Sequence, residues 1–318
     1  MDCRFCACRR ASGGAGADYP NRPLRLVVGF SAGGTTDFMA RLLADRMRGP
    51  LGQIVIVENK TGANGAIAAE YVARSEPDGY TLYFTTAGVA VIYPHLRPAP
   101  YDTLRDFAPV SLVAFNSTML VVNAAMPVKS AVELAAVARA NPGRITLAIT
   151  ALGSVSHLGL ALFQAAAGVQ FAQVPYRGAA PAVNDLLAQQ VQMVFLDLPV
   201  LLPQIKAGKL RPIAVGAMDR VASLPEVPTT VEVGMAHLQT ENWYGMVAPA
   251  KTPPQVVAVL NKATIEAMKD PTVVEKLASQ GAILVGDTPE HFRDYIDSET
   301  KKWAKVIADA GVQTEKDK

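Results

Sequence analysis

From residue 9 to residue 318 the chain has no cysteine; Cys3, Cys6 and Cys8 are its only three. A thiol-free body excludes a disulfide-stapled scaffold and suits an oxidising compartment, where stray thiols are hazards. The spacing Cys3-x-x-Cys6-x-Cys8 has no downstream His or Cys pair to complete a zinc site, so no metal is expected. No apolar run reaches the roughly 18 residues of a transmembrane helix. Charge is sparse: 18% of residues are charged, and 30 Lys and Arg against 28 Asp and Glu leave a net +2. No basic run suggests a nucleic-acid surface and no acidic tail suggests a solvating arm. Neither a Walker loop, a His-Glu-x-x-His pair nor an EF-hand loop occurs, and no pair of catalytic carboxylates stands out, so no cofactor is expected. What the chain does have is apolar material. Half of its 318 residues are hydrophobic, enough for two domains of roughly 100–200 residues each.

The start reads as a leader outside the fold, residues 1–18. Arg4, Arg9 and Arg10 supply its charge, and Ala15-Gly16-Ala17 resembles a small-residue cleavage site before Asp18. The apolar stretch of about 7–15 residues that an export signal carries is missing between them. Export with processing and retention in the cytoplasm are both open on this segment.

From Tyr19 onward strands alternate with helices. Leu24-Arg25-Leu26-Val27-Val28 reads as a buried strand, and Thr35 opens a helix with Phe38, Met39, Leu42, Leu43 and Met47 on one face. Further strands are expected at 54–57, 81–85, 119–122, 145–149, 191–195, 212–215 and 243–248. Helices are expected at 63–73, 130–140, 154–167, 179–188, 201–207, 254–268, 271–279 and 289–310. This alternation predicts an α/β fold with mainly parallel sheets flanked by helices. The first and last thirds form one lobe (19–118 and 244–318), with the middle third (119–243) inserted as a second. Crossings near 115–122 and 238–245 make a two-stranded hinge, which suits closure around a ligand.

The loop Phe30, Ser31, Ala32, Gly33, Gly34, Thr35 with Asp37 follows the first strand and opens the first helix. Ligands of open α/β sheets bind at such carboxyl ends. Two glycines let backbone N–H groups approach a ligand, and the helix N-terminus favours an anion without Lys or Arg. A plain tight turn with a helix cap explains the same residues. So does a third reading: Gly29-Phe30-Ser31-Ala32-Gly33 matches the Gly-x-Ser-x-Gly elbow of serine hydrolases, with Asp197 and then His237 or His291 in the right order. Against it, no earlier strand supplies the second oxyanion donor. A second loop, Thr150 to His157 with Gly153 and Ser154, repeats the strand-to-helix arrangement, although Ser154 also fits a simple N-cap. Tyr176, Arg177 and Gly178 follow a short strand, and Asp197 ends another. These loops are rich in backbone donors and poor in acid–base groups, which favours binding over catalysis.

Several fragments, in order and spacing, carry a family resemblance: Tyr19-Pro20-Asn21-Arg22-Pro23, Ala32-Gly33-Gly34-Thr35-Thr36-Asp37, Val57-Glu58-Asn59-Lys60-Thr61-Gly62-Ala63-Asn64-Gly65, Pro77-Asp78-Gly79-Tyr80-Thr81-Leu82, Val174-Pro175-Tyr176-Arg177-Gly178 and Leu224-Pro225-Glu226-Val227-Pro228-Thr229. The chain resembles the Bug receptors, the substrate-binding proteins of tripartite tricarboxylate transporters. The resemblance implies a type II periplasmic binding protein fold and a non-enzymatic, monomeric receptor. Such a receptor clamps a small mono- or dicarboxylate between its lobes, largely through backbone N–H groups. It passes the ligand to membrane permease subunits or reports it to a sensor. It also implies that Thr85, Thr86 and Ala87 line the same cleft. Family members usually have Pro-Gly-Gly in the first loop, where this chain has Ser31-Ala32-Gly33-Gly34. The alternatives kept beside this one are the Ser31 hydrolase and a non-exported sensor or binding protein.

Overall fold

The computed structural model describes residues 19–150, 154–235, 240–279 and 281–309; residues 1–18, with all three cysteines and the leader, lie outside it. The first part of the chain forms β1 (Leu24–Val28), α1 (Thr35–Leu51), β2 (Val55–Asn59), α2 (Ala66–Ala73), β3 (Thr81–Thr86), α3 (Tyr93–Leu96) and α4 (Thr103–Asp106). The middle forms β4 (Phe107–Asn123), α5 (Ala131–Ala140), β5 (Thr146–Ile149), α6 (Val155–Ala167), β6 (Ala172–Pro175), α7 (Ala179–Leu187), β7 (Met193–Asp197), α8 (Leu198–Lys206) and β8 (Leu210–Val215). The last part adds β9 (Glu241–Pro249), α9 (Pro254–Met268), α10 (Pro271–Ala278), β10 (Ala282–Leu284) and α11 (Pro289–Asp309).

The strands run in the order β2-β1-β3-β9-β4-β7-β5-β6, with β8 and β10 also paired to β4. The outer strands are parallel, β2-β1-β3 on one side and β7-β5-β6 on the other. The centre departs from the expected mainly parallel arrangement: β4 is antiparallel to β7, β8, β9 and β10, and β3 is antiparallel to β9. The reason is that β4 and β9 are not part of the βαβ series. They are the two segments on which the chain passes between the sheet halves. β4 is opposite β9 as far as Ser117, paired with Glu241, and opposite β7 from Thr118, paired with Asp197. There the Thr118 hydroxyl donates to the Thr240 carbonyl at 2.8 Å.

β4 has 17 residues, where the sequence pattern suggested a strand only over 119–122. Pro109, Ser111, Asn116 and Ser117 interrupt the apolar pattern before Thr118. Pro109 has no N–H for the ladder, and the register with β9 shifts between Pro109 and Ser111. Likewise the helix expected at 63–73 begins only at Ala66, because Ala63 and Asn64 take left-handed conformations, φ 44° and 53°.

Each sheet half is covered on both faces. Leu24, Leu26 and Val28 of β1 pack with Leu43 and Met47 of α1 and Leu260 of α9, while Val27 points to the other face and packs with Ala68, Ala69 and Val72 of α2. Period-2 alternation thus fills two layers from one strand. On the other half, Val121, Val194 and Leu196 pack with Leu186 of α7 and Leu201 of α8. α11 returns to seal β9: Phe292 sits edge-on to Trp243, ring centroids 5.6 Å apart. Phe292 occupies the space a side chain at Gly245 would fill, since a Cβ there would stand 2.2 Å from its ring.

Candidate functional site

The loop after β1 is shaped by Asp37. Its Oδ2 accepts the Gly33 N–H at 3.0 Å, and Arg41 Nε and Asn59 Nδ2 donate to Oδ1 at 3.0 and 2.9 Å. Asn59 Nδ2 also donates to the Phe30 carbonyl at 2.9 Å, tying the end of β2 to the loop. Burial pushes the Asp37 carboxyl up, but the bonds from Arg41, Gly33 and Asn59 outweigh it and hold its pKa below the ordinary range. Asp37 therefore shapes the loop rather than facing the cleft. Gly33 provides the positive φ of +82° that the turn needs.

With Asp37 engaged in the loop, α1 has no side-chain cap, and the amides of its first turn have no intrahelical partner. α7 begins in the same way at Gly178. These two helix starts face each other. A Cβ on Gly34 would stand 3.9 Å from Ala179 Cβ, and one on Gly178 would stand 2.2 Å from Ser31 Oγ. The glycine at 178 is what lets the two loops touch.

Behind this contact lies a cavity of about 50 Å³. Gly34, Thr35 and Thr36 of α1, Ser154 and Val155 of α6, and Ala179 of α7 reach it as helix starts. Thr86 and Gly88 reach it where β3 passes into a turn of π-helix at Gly88–Ile92. Phe30 and Leu196 are its apolar walls, and Asn64, Thr150, Asp197 and Asn242 complete the lining. Among the described residues that line it, Asp197 alone carries a charge. Three lining side chains have buried polar atoms without partners: Thr35 (5% exposed) through its hydroxyl, Asn64 (7% exposed) through both amide atoms, and Asn242 through its amide oxygen. The left-handed backbone of Asn64 is what presents that amide here, a strained conformation of the kind that clusters at binding sites. A larger cavity of about 340 Å³ adjoins through Phe30, Asn64 and Thr150 and carries Tyr93, Arg97, Tyr176 and Arg177.

Asp197 caps the start of α8 by position, but its side chain makes no cap bond. Its carboxylate instead accepts from the Tyr244 hydroxyl and, at 3.2 Å, from Asn242 Nδ2. Burial pushes its pKa up to about 6, against the lowering effect of those two bonds.

Of the candidate residues read from the sequence, Phe30, Gly34, Thr35, Thr86, Thr150, Ser154 and Asp197 come together around the smaller cavity, and Tyr176 and Arg177 around its neighbour. Ser31 and Gly178 form the contact that roofs it. Thr85 and Ala87 are buried in the sheet and the following turn rather than on the lining. Ser154 Oγ caps α6 by accepting the His157 N–H at 3.1 Å. His157 does not line the smaller cavity; burial first, and Arg97 second, lower its pKa. The Tyr176 hydroxyl donates to Asp185 at 2.6 Å, so its proton is already committed. Ala32 and Gly33 face solvent, and Gly153 lies outside the described residues, as does His237. Sequence reasoning missed Thr36, Asn64, Gly88, Ala179 and Asn242. Asn64 stands in the Gly-rich loop after β2, again at a strand's carboxyl end, and that rule would have found it. Asn242 has no local signal, because only the pairing of β9 with β4 brings it to the cleft.

Residues 39–312 match the tripartite tricarboxylate transporter family receptor. The chain belongs to this family. It is 38% identical over 297 residues to the protein BugT of Bordetella pertussis, covering 93% of this chain and 91% of BugT. The periplasmic binding protein BugD superposes with a TM-score of 0.89 at 37% identity, over 93% of this chain and 99% of that one. A structure of Rpa4515 from R. palustris with adipate superposes with a TM-score of 0.88 at 36% identity, over 92% of this chain and 99% of that one. The protein is thus a solute-binding receptor of the Bug type and not an enzyme. The hydrolase reading of Ser31 falls with this: its Oγ is buried against Gly178 with no hydrogen-bonding base. Among the described residues no helix is long and apolar enough to cross a membrane.

Proposed function

We propose that the receptor captures a small organic acid in the cleft where the starts of α1, α6 and α7 converge. In this reading the carboxylate takes the free amides of the first turns, the Thr35 hydroxyl and the Asn64 amide. The observation that carries it is the pair of unpartnered buried side chains, Thr35 and Asn64, beside uncapped helix N-termini. A buried polar group without a partner costs about 1–3 kcal/mol. A carboxylate that satisfies these groups regains that cost on binding, and the helix dipoles add to it. The adipate held by Rpa4515 supports an acid as cargo.

The two sheet halves act as lobes, 19–118 with 244–318 and 119–243, that close about β4 and β9 near Thr118 and Thr240. The receptor works in the periplasm and delivers its cargo to the membrane permease subunits of a tripartite transporter. The test is a thermal-shift and titration-calorimetry panel of mono- and dicarboxylates. A ligand at a hundred times its Kd raises stability by about 2.7 kcal/mol, and a panel in which no acid shifts the melting temperature refutes the reading.

A further inference from the structure

The cavity lining carries two chemically opposite sets of groups. One set offers donors: the first-turn amides of α1 and α7, with Thr35 and the Asn64 amide. The other set offers acceptors. Tyr244 gives its only hydroxyl proton to Asp197 Oδ2, and Asn242 Nδ2 donates to Tyr244 Oη at 3.0 Å and to the carboxylate at 3.2 and 3.3 Å. Both amide hydrogens of Asn242 are therefore committed to the Asp197–Tyr244 pair, and its Oδ1 is buried with no partner. Turning the amide over would set its oxygen against a carboxylate and a hydroxyl with no proton left to give, so charge fixes this orientation. On the carboxylate, Oδ1 receives only the 3.3 Å contact from Asn242. Asp197 and Asn242 thus each bring an acceptor that is not fully used to a lining where, among the described residues, Asp197 is the lone charge. An acceptor pair of this kind is satisfied by N–H groups and repels a second carboxylate.

We infer that the cleft selects an acid whose far end carries a hydrogen-bond donor, an amide or ammonium N–H, and that Asp197 and Asn242 are the pair that selects it. This rests on the reading of the helix starts as the carboxylate end. A dicarboxylate of the same length enters only with a proton placed between its second carboxyl and Asp197. The groups facing Asp197 are Tyr244 and Asn242 from β9, with Asn116 of β4 beside Tyr244 and the first turn of α8 behind it, and no charged side chain contributes to its shift. Arg97 and Arg177 line the neighbouring cavity instead.

The test uses two matched pairs, succinate with succinamate and adipate with adipamate, titrated calorimetrically into the full chain from pH 8 to pH 5. At pH 8 the monoamide of at least one pair binds roughly tenfold or more tighter than its diacid, since protonating a group of pKa about 6 costs up to about a hundredfold there. As the pH falls the diacid gains affinity and the monoamide loses it, so the two slopes have opposite signs. Asp197→Asn raises diacid affinity at pH 8 and flattens the diacid's pH slope. If that variant does not fold, the opposite slopes of the unmodified chain decide the matter alone. Diacid and monoamide binding equally at pH 8 with parallel slopes overturns the inference and leaves the receptor reading standing. No binding by any of the four at any pH overturns both.

Discussion

Asp197 is held in the native state at a cost to stability, and the cost has a defined pH window. Its carboxyl titrates at an ordinary value of 3.8 when unfolded and is pushed up to about 6 in the fold, chiefly by burial. Between these values the native state binds a proton that the unfolded chain has already lost. Native stability from this group is therefore complete below about pH 4 and is lost as the pH rises through about 6. At about 1.4 kcal/mol per pH unit, the loss at pH 8 has an upper bound of about 3 kcal/mol. Asp197→Asn removes the titration and keeps an oxygen that accepts the Tyr244 hydroxyl. The variant should melt higher than the parent at pH 8, by roughly 3–8 °C for a chain of this size. The difference should shrink to near zero at about pH 4. Ligand-free calorimetric melts of both proteins across pH 4–8 measure this directly. A variant that is less stable than the parent at pH 8, or a difference that does not change with pH, refutes the reasoning. A stabilising change that damages selectivity is the expected pattern where a buried charge is kept for binding.

Asn64→Gly keeps the left-handed backbone and removes the unpartnered amide; acid affinity should fall roughly tenfold, about the worth of one hydrogen bond, with the melting temperature unchanged or raised. Gly178→Val puts a Cβ 2.2 Å from Ser31 Oγ, so the loops are wedged apart. Titration calorimetry should lose acid binding while circular dichroism stays native, because Gly178 is in extended backbone that any residue adopts. Gly245→Val drives a side chain into Phe292 and should cost about 1–3 kcal/mol of stability by overpacking, seen as a lower denaturation midpoint with ligand affinity retained.

The parts of the fold that local patterning writes were legible in the sequence. β1 and α1 follow from Leu24 to Val28 and from the spacing of Met39, Leu42, Leu43 and Met47. The loop between them stood out because Gly33 and Gly34 sit at a strand's carboxyl end, and the same rule picked out Thr150, Ser154 and Asp197. β4 was mostly illegible. Buried on both faces, it needs no alternation, and Pro109 and the polar residues near Asn116 resemble loop chemistry. The sequence names Asp37 only as part of the loop after β1; its bond from Asn59, 22 residues away, is what turns its carboxylate into that loop. Asn242 and Tyr244 lie beyond any local signal, because the acceptor end of the cleft exists only once β9 has paired with β4.

The close approach of Gly34 and Ala179 has a use outside ligand recognition. A Cβ added at Gly34 would stand 3.9 Å from that of Ala179, near the roughly 3.8 Å typical across a disulfide, and Gly34 has φ −85°, so it accepts a side chain. Since the chain has no thiol past Cys8, a double substitution Gly34→Cys with Ala179→Cys, in a chain begun at Asp18, has one pairing available. If the lobes close as proposed, oxidation then latches the receptor shut while it is empty. A latched, empty receptor separates shape from cargo. If the downstream transporter engages it as it engages the loaded form, the message passed along is the closed outline alone.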